Sequence, residues 1–290
     1  MNTGRKNLLA AIAVGAGLLL SAQTATAQPI APPLTAAQIA EIVASPDRSA
    51  ADRTNDLRRK PQEMLVFIGI RPGISALDLS AAGGYTTELL ARSIGPSGTV
   101  YGQSRPRPSQ APTPPAAPEG NSHPTATPSA APPPPAGAPR PSPEALAGRD
   151  SALRSAGIKA APITAVVRPF EDPVPPELAA FDLVTLMFNY HDLGHLGVDR
   201  AAMNRAVFQA LKPGGLYVIA DHSGRPGTGI SEAGTLHRVE EAFVRKEVEA
   251  AGFKFAAGGD FLRNPNDPRD KNTPDPPQPK DEFVLKFVKP

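Results

Sequence analysis

Short apolar segments alternate with helical patterns along most of this chain, and that alternation restricts its fold more than any other feature. Strands that alternate with helices form a largely parallel sheet with helices packed on both faces. Residues 181–188 form a continuous apolar run, typical of a strand that is buried on both faces. The last two predicted strands have no long helix between them. The pattern therefore predicts an α/β fold, with a mostly parallel sheet and an antiparallel hairpin at the C-terminal end.

The periodicity predicts seven strands, at residues 75–79, 99–102, 163–167, 181–188, 216–220, 253–257 and 282–288. Helices are predicted at residues 39–44, 48–60, 62–67, 86–93, 143–156, 200–211 and 236–250. Lys-Pro-Gly-Gly follows the predicted helix that ends at residue 211, and this is a helix-stop signal.

A proline-rich stretch at residues 104–143 interrupts this pattern. Fifteen of its 40 residues are proline and none is aromatic. Such a segment cannot bury a core or form a hydrogen-bonded ladder, so it is predicted to be a disordered insert. A ligand for a proline-recognising partner is the alternative. The predicted organisation is a lead-in at residues 28–47 and one domain at residues 48–290 that is interrupted by the insert.

Residues 1–27 have the sequence pattern of a secretory signal peptide, in which basic residues, an apolar run and small residues follow one another. Arg5 and Lys6 precede an apolar run at residues 8–20, and Ala-Thr-Ala ends at residue 27. The run is shorter than the roughly 20 residues that span a bilayer, so we expect cleavage and no membrane span afterwards. An uncleaved anchor is the alternative. Export to the periplasm or beyond is the expected localisation.

Composition excludes several classes of function. The chain has no cysteine, which excludes disulfides, thiol nucleophiles and thiolate metal sites. Arg5 and Lys6 are the charged residues of the predicted signal, so the remaining chain has 28 basic and 28 acidic residues. A net charge of zero gives no overall field that attracts nucleic acid, and no nucleic-acid partner is expected. The sequence does not identify a protein partner.

Residues 77–85 (LDLSAAGGY) contain the end of a predicted strand, with an acidic residue near its end, and a loop of small residues that follows it. They resemble the first motif of the class I S-adenosylmethionine-dependent methyltransferases. Residues 181–184 (FDLV) and 211–216 (LKPGGL) are similar to later motifs of that family, in the same order. More narrowly, residues 83–90 (GGYTTELL), 188–192 (FNYHD) and 220–224 (ADHSG) resemble a bacterial subgroup of exported predicted methyltransferases. The resemblance implies a Rossmann-like, doubly wound sheet of seven strands.

The resemblance also implies S-adenosylmethionine as the cofactor and a small molecule as the methyl acceptor. The positions that would bind the cofactor are Asp78, Ser80, Ala81, Gly83, Gly84, Gln103, Glu171 and Asn189. Glycine lets the backbone approach a ligand closely, yet Ser80 and Ala82 occupy two of the family's glycine positions. The family also expects an acid that binds both ribose hydroxyls, and we place Gln103 there, whose amide binds them less strongly.

Polar groups that follow a buried strand are costly unless they face a site or find partners. His191 is the predicted general base, with Asp192 orienting it and Tyr190 shaping the acceptor side together with Asn189. The alternative is a histidine whose bonds pin the loop. His222 and His237 can converge on the same region, but no His-x-x-x-His or similar spacing supports a metal site, and none is predicted.

Two hypotheses for function follow. The first is methyl transfer to an unknown small acceptor, in which positioning supplies most of the catalysis because the sulfonium is already activated. The second is a non-catalytic exported binding protein, since S-adenosylmethionine is a cytoplasmic metabolite and the loop departs from the family. A serine hydrolase is disfavoured because neither Ser80 nor Ser223 lies in a Gly-x-Ser-x-Gly elbow.

Overall fold

The computed structural model describes residues 1, 31–106, 142–178, 180–272, 274 and 278–290. The predicted signal peptide, at residues 1–27, lies outside the described residues except for Met1. Residues 107–141 of the predicted insert lie outside them as well. Ala31–Pro290 forms one unit. Among the helices described, none is long and apolar enough to cross a membrane.

Seven strands form one sheet, in the order β3-β2-β1-β4-β5-β7-β6. The strands are β1 Ser75–Leu79, β2 Thr99–Ser104, β3 Ile163–Val167, β4 Phe181–Met187, β5 Leu211–His222, β6 Lys254–Gly259 and β7 Glu282–Val288. β1 to β5 pair in parallel, whereas β7 lies antiparallel between β5 and β6. The predicted α/β class, the seven strands and the antiparallel C-terminal part are therefore confirmed.

Nine α-helices and one short 3-10 turn accompany the sheet in the part of the chain described. They are α1 Ala36–Ala44, α2 Ala50–Arg59, α3 Pro61–Ile68, α4 Tyr85–Ile94, α5 Ser142–Ser155, α6 Tyr190–His195, α7 Arg200–Ala210, α8 Ala233–Leu236, α9 Glu241–Ala250 and the 3-10 turn Pro176–Leu178.

Apolar side chains of the helices form two buried clusters with the sheet. One cluster joins α1, α3, α4 and α5 to the sheet, and it includes the fully buried Ile39 and Leu90. The other cluster joins α7 and α9 to the sheet and includes Val207 and Val248. Because side chains alternate across each strand, the central strands contribute to both clusters, which explains their continuous apolar sequences.

The predicted helix at residues 236–250 is wrong in its first part. It divides into α8 and α9, and His237 between them has a φ of 51°. The N–H of Val239 donates to the carbonyl of His222, and the N–H of Gly224 donates to the carbonyl of Val239. Arg238 is fully buried and bonds to Asp267. These bonds to distant segments replace the local helical bonds, and the sequence pattern does not report them.

Arg149 of α5 connects the region after the insert to the rest of the fold. Its guanidinium donates two hydrogen bonds to Asp52 of α2, at 2.8 and 2.9 Å. It also bonds Glu88 of α4 and the carbonyl of Gly83. Asp52 and Glu88 are 4% and 8% exposed, and Arg149 balances the charge of both, a role that Arg92 shares at Glu88.

Replacing Arg149 by alanine is expected to lower the free energy of unfolding by about 2–4 kcal/mol, because two buried carboxylates lose their shared partner. Arg154→Ala on the same helix is the matched control. The Arg154 side chain is 67% exposed, and its partner Asp150 also accepts the backbone N–H of Ile163, so the loss of Arg154 should cost less than about 1 kcal/mol. Urea unfolding followed by circular dichroism measures both variants, and equal losses would contradict the role given to Arg149.

Candidate functional site

A cleft of about 780 Å³ opens where β1 to β4 end. Segments that follow these four parallel strands meet there because the carboxyl ends of parallel strands share one edge of a sheet, which is where open α/β sheets bind ligands. The volume suits a ligand of nucleoside size or larger. The cleft is lined by Ser80, Ala82, Ser104, Arg105, Ser142, Pro143, Glu144, Val167, Phe170, Asn189, Asp192, His195 and Leu196.

The loop after β1 has a backbone conformation that suits glycine. Ser80 and Ala82 have φ angles of 55° and 47°, in the left-handed region. An L-residue there costs roughly 1–2 kcal/mol. Both side chains line the cleft and both are small, so the loop keeps its shape and leaves room for a ligand.

The two loop glycines have different surroundings. A Cβ on Gly84 would lie 2.8 Å from atoms of both Leu146 and Arg149, and the φ of Gly84 is 78°. Gly84 therefore allows the loop to pack closely against α5. No atom lies within 4 Å of a Cβ built on Gly83, whose carbonyl accepts from Arg149. Ala81 is another predicted cofactor-binding residue, and its N–H donates to the carbonyl of Gln103.

Gln103 is fully buried, and both ends of its amide bind backbone. The N–H of Ser80 donates to its Oε1 at 3.1 Å, and its Nε2 donates to the carbonyl of Arg168 at 2.7 Å. Gln103 therefore connects the β1 loop to the end of β3 and does not line the cleft where a ribose would bind.

Ser104 is the residue of β2 that lines the cleft, and it is not among the predicted site residues. β2 continues to Ser104, two residues beyond the predicted end at residue 102. Because side chains alternate along a strand, Gln103 and Ser104 point to opposite faces of the sheet. A predicted strand that continued to residue 104 would have shown that only one of the two can face the cleft.

Asp78 lies beneath the loop and does not line the cleft. Its carboxylate accepts hydrogen bonds from the hydroxyls of Thr87 and Thr185, at 2.7 and 2.8 Å. Burial raises the pKa of Asp78 to about 6, against the lowering effect of the two threonines. Asp78 therefore joins α4 to β4. This buried position does not support the predicted contact between Asp78 and the cofactor.

The residues after β3 also separate into two groups. Phe170 and Val167 line the cleft with apolar surface. Glu171, one of the predicted cofactor-binding residues, accepts from the N–H of Asp199, which caps α7. Asp172 pairs with Arg168. The cleft surface after β3 is therefore apolar, which suits the face of an aromatic ring.

Asn189 and Asp192 follow β4 and both line the cleft, with Asn189 Nδ2 donating to Asp192 at 2.7 Å. Tyr190 is fully buried and does not reach it. The Tyr190 hydroxyl donates to Glu247 at 2.7 Å and accepts from Asn204 at 3.0 Å. Tyr190 therefore packs α6 against α7 and α9, and its position does not support the predicted role beside the acceptor.

His191 is 3% exposed and lies between two carboxylates. Its Nδ1 is 2.6 Å from Asp221 and its Nε2 is 3.2 Å from Asp192. Burial alone would lower the pKa of His191, but the hydrogen bonds with Asp192 and Asp221 raise it to about 9. His191 is therefore an imidazolium at neutral pH. An imidazolium cannot accept a proton, so this charge state does not support the predicted general-base role.

Tertiary structure also brings His237 to this region. Its Nδ1 lies 3.4 Å from Asp192 Oδ1, and its ring centre is 5.6 Å from that of His191. Ligand atoms of His191, Asp192 and His237 all lie within 4.8 Å of one another. The centre of the His222 ring lies 5.3 Å from that of His191, and His222 Nδ1 is 2.9 Å from Glu282. His195 is exposed at the end of α6, and it also lines the cleft.

Replacing Ala82 by glycine is expected to raise the free energy of unfolding by about 1 kcal/mol, because glycine adopts a φ of 47° without strain. Ala81→Gly next to it is the control. Ala81 is buried and lies outside the left-handed region, so its replacement should be destabilising by a similar amount. Urea unfolding distinguishes the two, and a destabilising Ala82→Gly would contradict the strain inferred here.

Asp78→Asn tests the buried carboxyl. Raising the pKa of Asp78 from 3.8 to about 6 makes ionisation in the folded state cost roughly 3 kcal/mol more than in the unfolded chain. Asp78 therefore lowers stability as pH rises from about 4 to 6. We therefore expect the unfolding free energy of Asp78→Asn to increase relative to that of the unchanged protein as pH rises from about 4 to 6. Urea unfolding at both ends of the window measures it, and an unchanged difference would refute the shift.

No protein-family model and no curated protein matches this sequence. Solved structures do match its fold. A SAM-dependent methyltransferase from Aquifex aeolicus is 14% identical with a TM-score of 0.50, over 89% of this chain and all of that chain. One from Clostridium acetobutylicum is 12% identical with a TM-score of 0.46, over 87% of this chain and 96% of that chain. The likeness to the Aquifex structure concerns architecture alone: the chain has a fold found in S-adenosylmethionine-dependent methyltransferases.

Proposed function

We propose that this protein transfers a methyl group from S-adenosylmethionine to a small acceptor molecule. The observation that carries the proposal is the 780 Å³ cleft, which the ends of four parallel strands form beside the loop of residues 80–84. Ligands of open α/β sheets bind at this edge. The resemblance of residues 77–85 to a methyltransferase motif supports the same cofactor.

The residues of the cleft fit such a cofactor. Phe170 and Val167 offer an apolar surface for adenine, and Ser104 offers a hydroxyl for the ribose. The small side chains of Ser80 and Ala82 leave space above the loop. When bound, S-adenosylmethionine would supply a methyl group on a positively charged sulfur.

Asn189 and Asp192 are the residues that we expect to orient the acceptor. Both line the cleft after β4. The hydrogen bond with His191, opposed by partial burial, lowers the pKa of Asp192, so its carboxylate is ionised at neutral pH. A carboxylate accepts hydrogen bonds from a hydroxyl or amine of the methyl-accepting molecule, and it stabilises a positive charge nearby. His191 and Asp221 lie behind Asp192 and hold it in place.

A non-catalytic binding protein is the second candidate function. Ser80 and Ala82 add side chains where the family has glycine, and the polar atoms of Gln103 are already bonded to backbone. We also propose that residues 1–27 direct export to the periplasm or beyond, where a supply of S-adenosylmethionine is not evident. Absence of the protein from a periplasmic fraction would remove this objection to catalysis.

Calorimetric titration of the chain from Gln28 onward with S-adenosylmethionine and S-adenosylhomocysteine tests the proposal. We expect a dissociation constant in the micromolar range for at least one of them. Binding would justify a screen of acceptors by mass spectrometry. No binding of either compound would end the proposal and favour the second candidate.

Two neighbouring variants sharpen this titration. Ser104→Asp places a carboxylate at the cleft, so we expect about tenfold tighter binding through a charge-assisted bond to the ribose. Gln103→Glu is the matched control, because the new oxygen would face the carbonyl of Arg168 and lose a hydrogen bond. It should lower the unfolding free energy without tightening binding. Tighter binding by Gln103→Glu alone would show that Gln103 contacts the cofactor.

A further inference from the structure

His191, Asp192 and His237 form a compact group of possible metal ligands at the cleft. Asp192 Oδ1 lies 3.2 Å from His191 Nε2 and 3.4 Å from His237 Nδ1. In a tetrahedral zinc site, with ligands about 2.0–2.1 Å from the metal, adjacent ligand atoms are about 3.3 Å apart. These two separations match that value, and all three ligand atoms lie within 4.8 Å of one another.

The surroundings of His191 hold its ring in the orientation of a metal ligand. Asp221 is fully buried at the end of β5, and its Oδ1 lies 2.6 Å from His191 Nδ1. Its Oδ2 accepts the backbone N–H of His191. Metal-binding histidines commonly bond a carboxylate through the ring nitrogen that does not bind the metal. This arrangement directs Nε2 of His191 towards Asp192 and His237.

We propose that His191, Asp192 and His237 bind one divalent transition-metal ion, for which Zn²⁺ has the most suitable ligand preference. Two imidazole nitrogens and one carboxylate suit Zn²⁺ better than Ca²⁺ or Mg²⁺, which prefer oxygen ligands. Asp192 lines the cleft, so a fourth coordination position is open to water or to a ligand oxygen from that side. The proposal does not depend on methyl transfer.

Ion pairing between a protonated His191 and its two carboxylates is the other explanation of the same contacts. It leaves His237 without a necessary role, because the His237 side chain is 45% exposed and its nearest approach to Asp192 is 3.4 Å. Variants of His237 therefore separate the explanations, and because the side chain is partly exposed they should leave the fold intact.

The test is competition for Zn²⁺ between the metal-free chain from Gln28 onward and a chromophoric chelator. We expect one Zn²⁺ per chain. His237→Ala and Asp192→Asn should each weaken zinc binding at least tenfold, and Asp221→Asn about 10–100-fold. His195→Ala is the matched control, since this exposed histidine of the same region lies outside the group and its loss should leave zinc affinity unchanged.

Circular dichroism of each variant confirms that it is folded, and substitution by Co²⁺ reports the geometry through the strong visible absorption of a four-coordinate site. Stoichiometric binding that His237→Ala weakens and His195→Ala does not would establish the site. No binding, or equal weakening by both variants, would overturn it and leave the ion pair. Because zinc affinity is measured without S-adenosylmethionine, failure here is distinguishable from failure of the methyltransferase proposal.

Discussion

The buried carboxylate of Asp221 organises the part of the cleft that contains His191 and Asp192. It accepts from the backbone N–H groups of His191 and His222 and lies against the His191 ring. A fully buried carboxylate must have such partners, because an unpaired charge inside a protein is strongly destabilising. The end of β5 is thereby joined to the start of α6, and this places Asp192 at the cleft.

The loop of residues 80–84 and the strand ends show how the fold tolerates unusual residues. Ser80 and Ala82 adopt left-handed backbone angles at a cost that the surrounding contacts must offset. Gln103 supplies one of those contacts through the N–H of Ser80, while Arg149 holds the carbonyl of Gly83. A residue assigned to a ligand by its motif position thus supports the loop instead, and the adjacent Ser104 faces the cleft.

The two proposals place different chemistry in neighbouring parts of one cleft. The β1 loop, Ser104 and Phe170 form the side suited to a nucleoside, and Asp192 belongs to the group suited to a metal ion. A metal ion held beside the cofactor region would be positioned to bind an oxygen of the acceptor. The imidazolium of His191 and a bound metal ion exclude one another at Nε2, so occupancy of the site would change the charge beside the acceptor.

Local pattern determined the strands and most of the helices, because apolar periodicity reflects which residues each element buries. β1, β3 and β7 have the predicted bounds, and the parallel sheet with its antiparallel end is confirmed. The sequence also identified Asn189, His191 and Asp192 as polar groups after a buried strand. Tertiary structure alone decided which side chains face the cleft. Tyr190 and Gln103 find partners far away in the chain, and His237 reaches Asp192 because bonds to distant segments interrupt its predicted helix. Contacts between distant residues leave no local periodicity, which is why the sequence by itself did not show them.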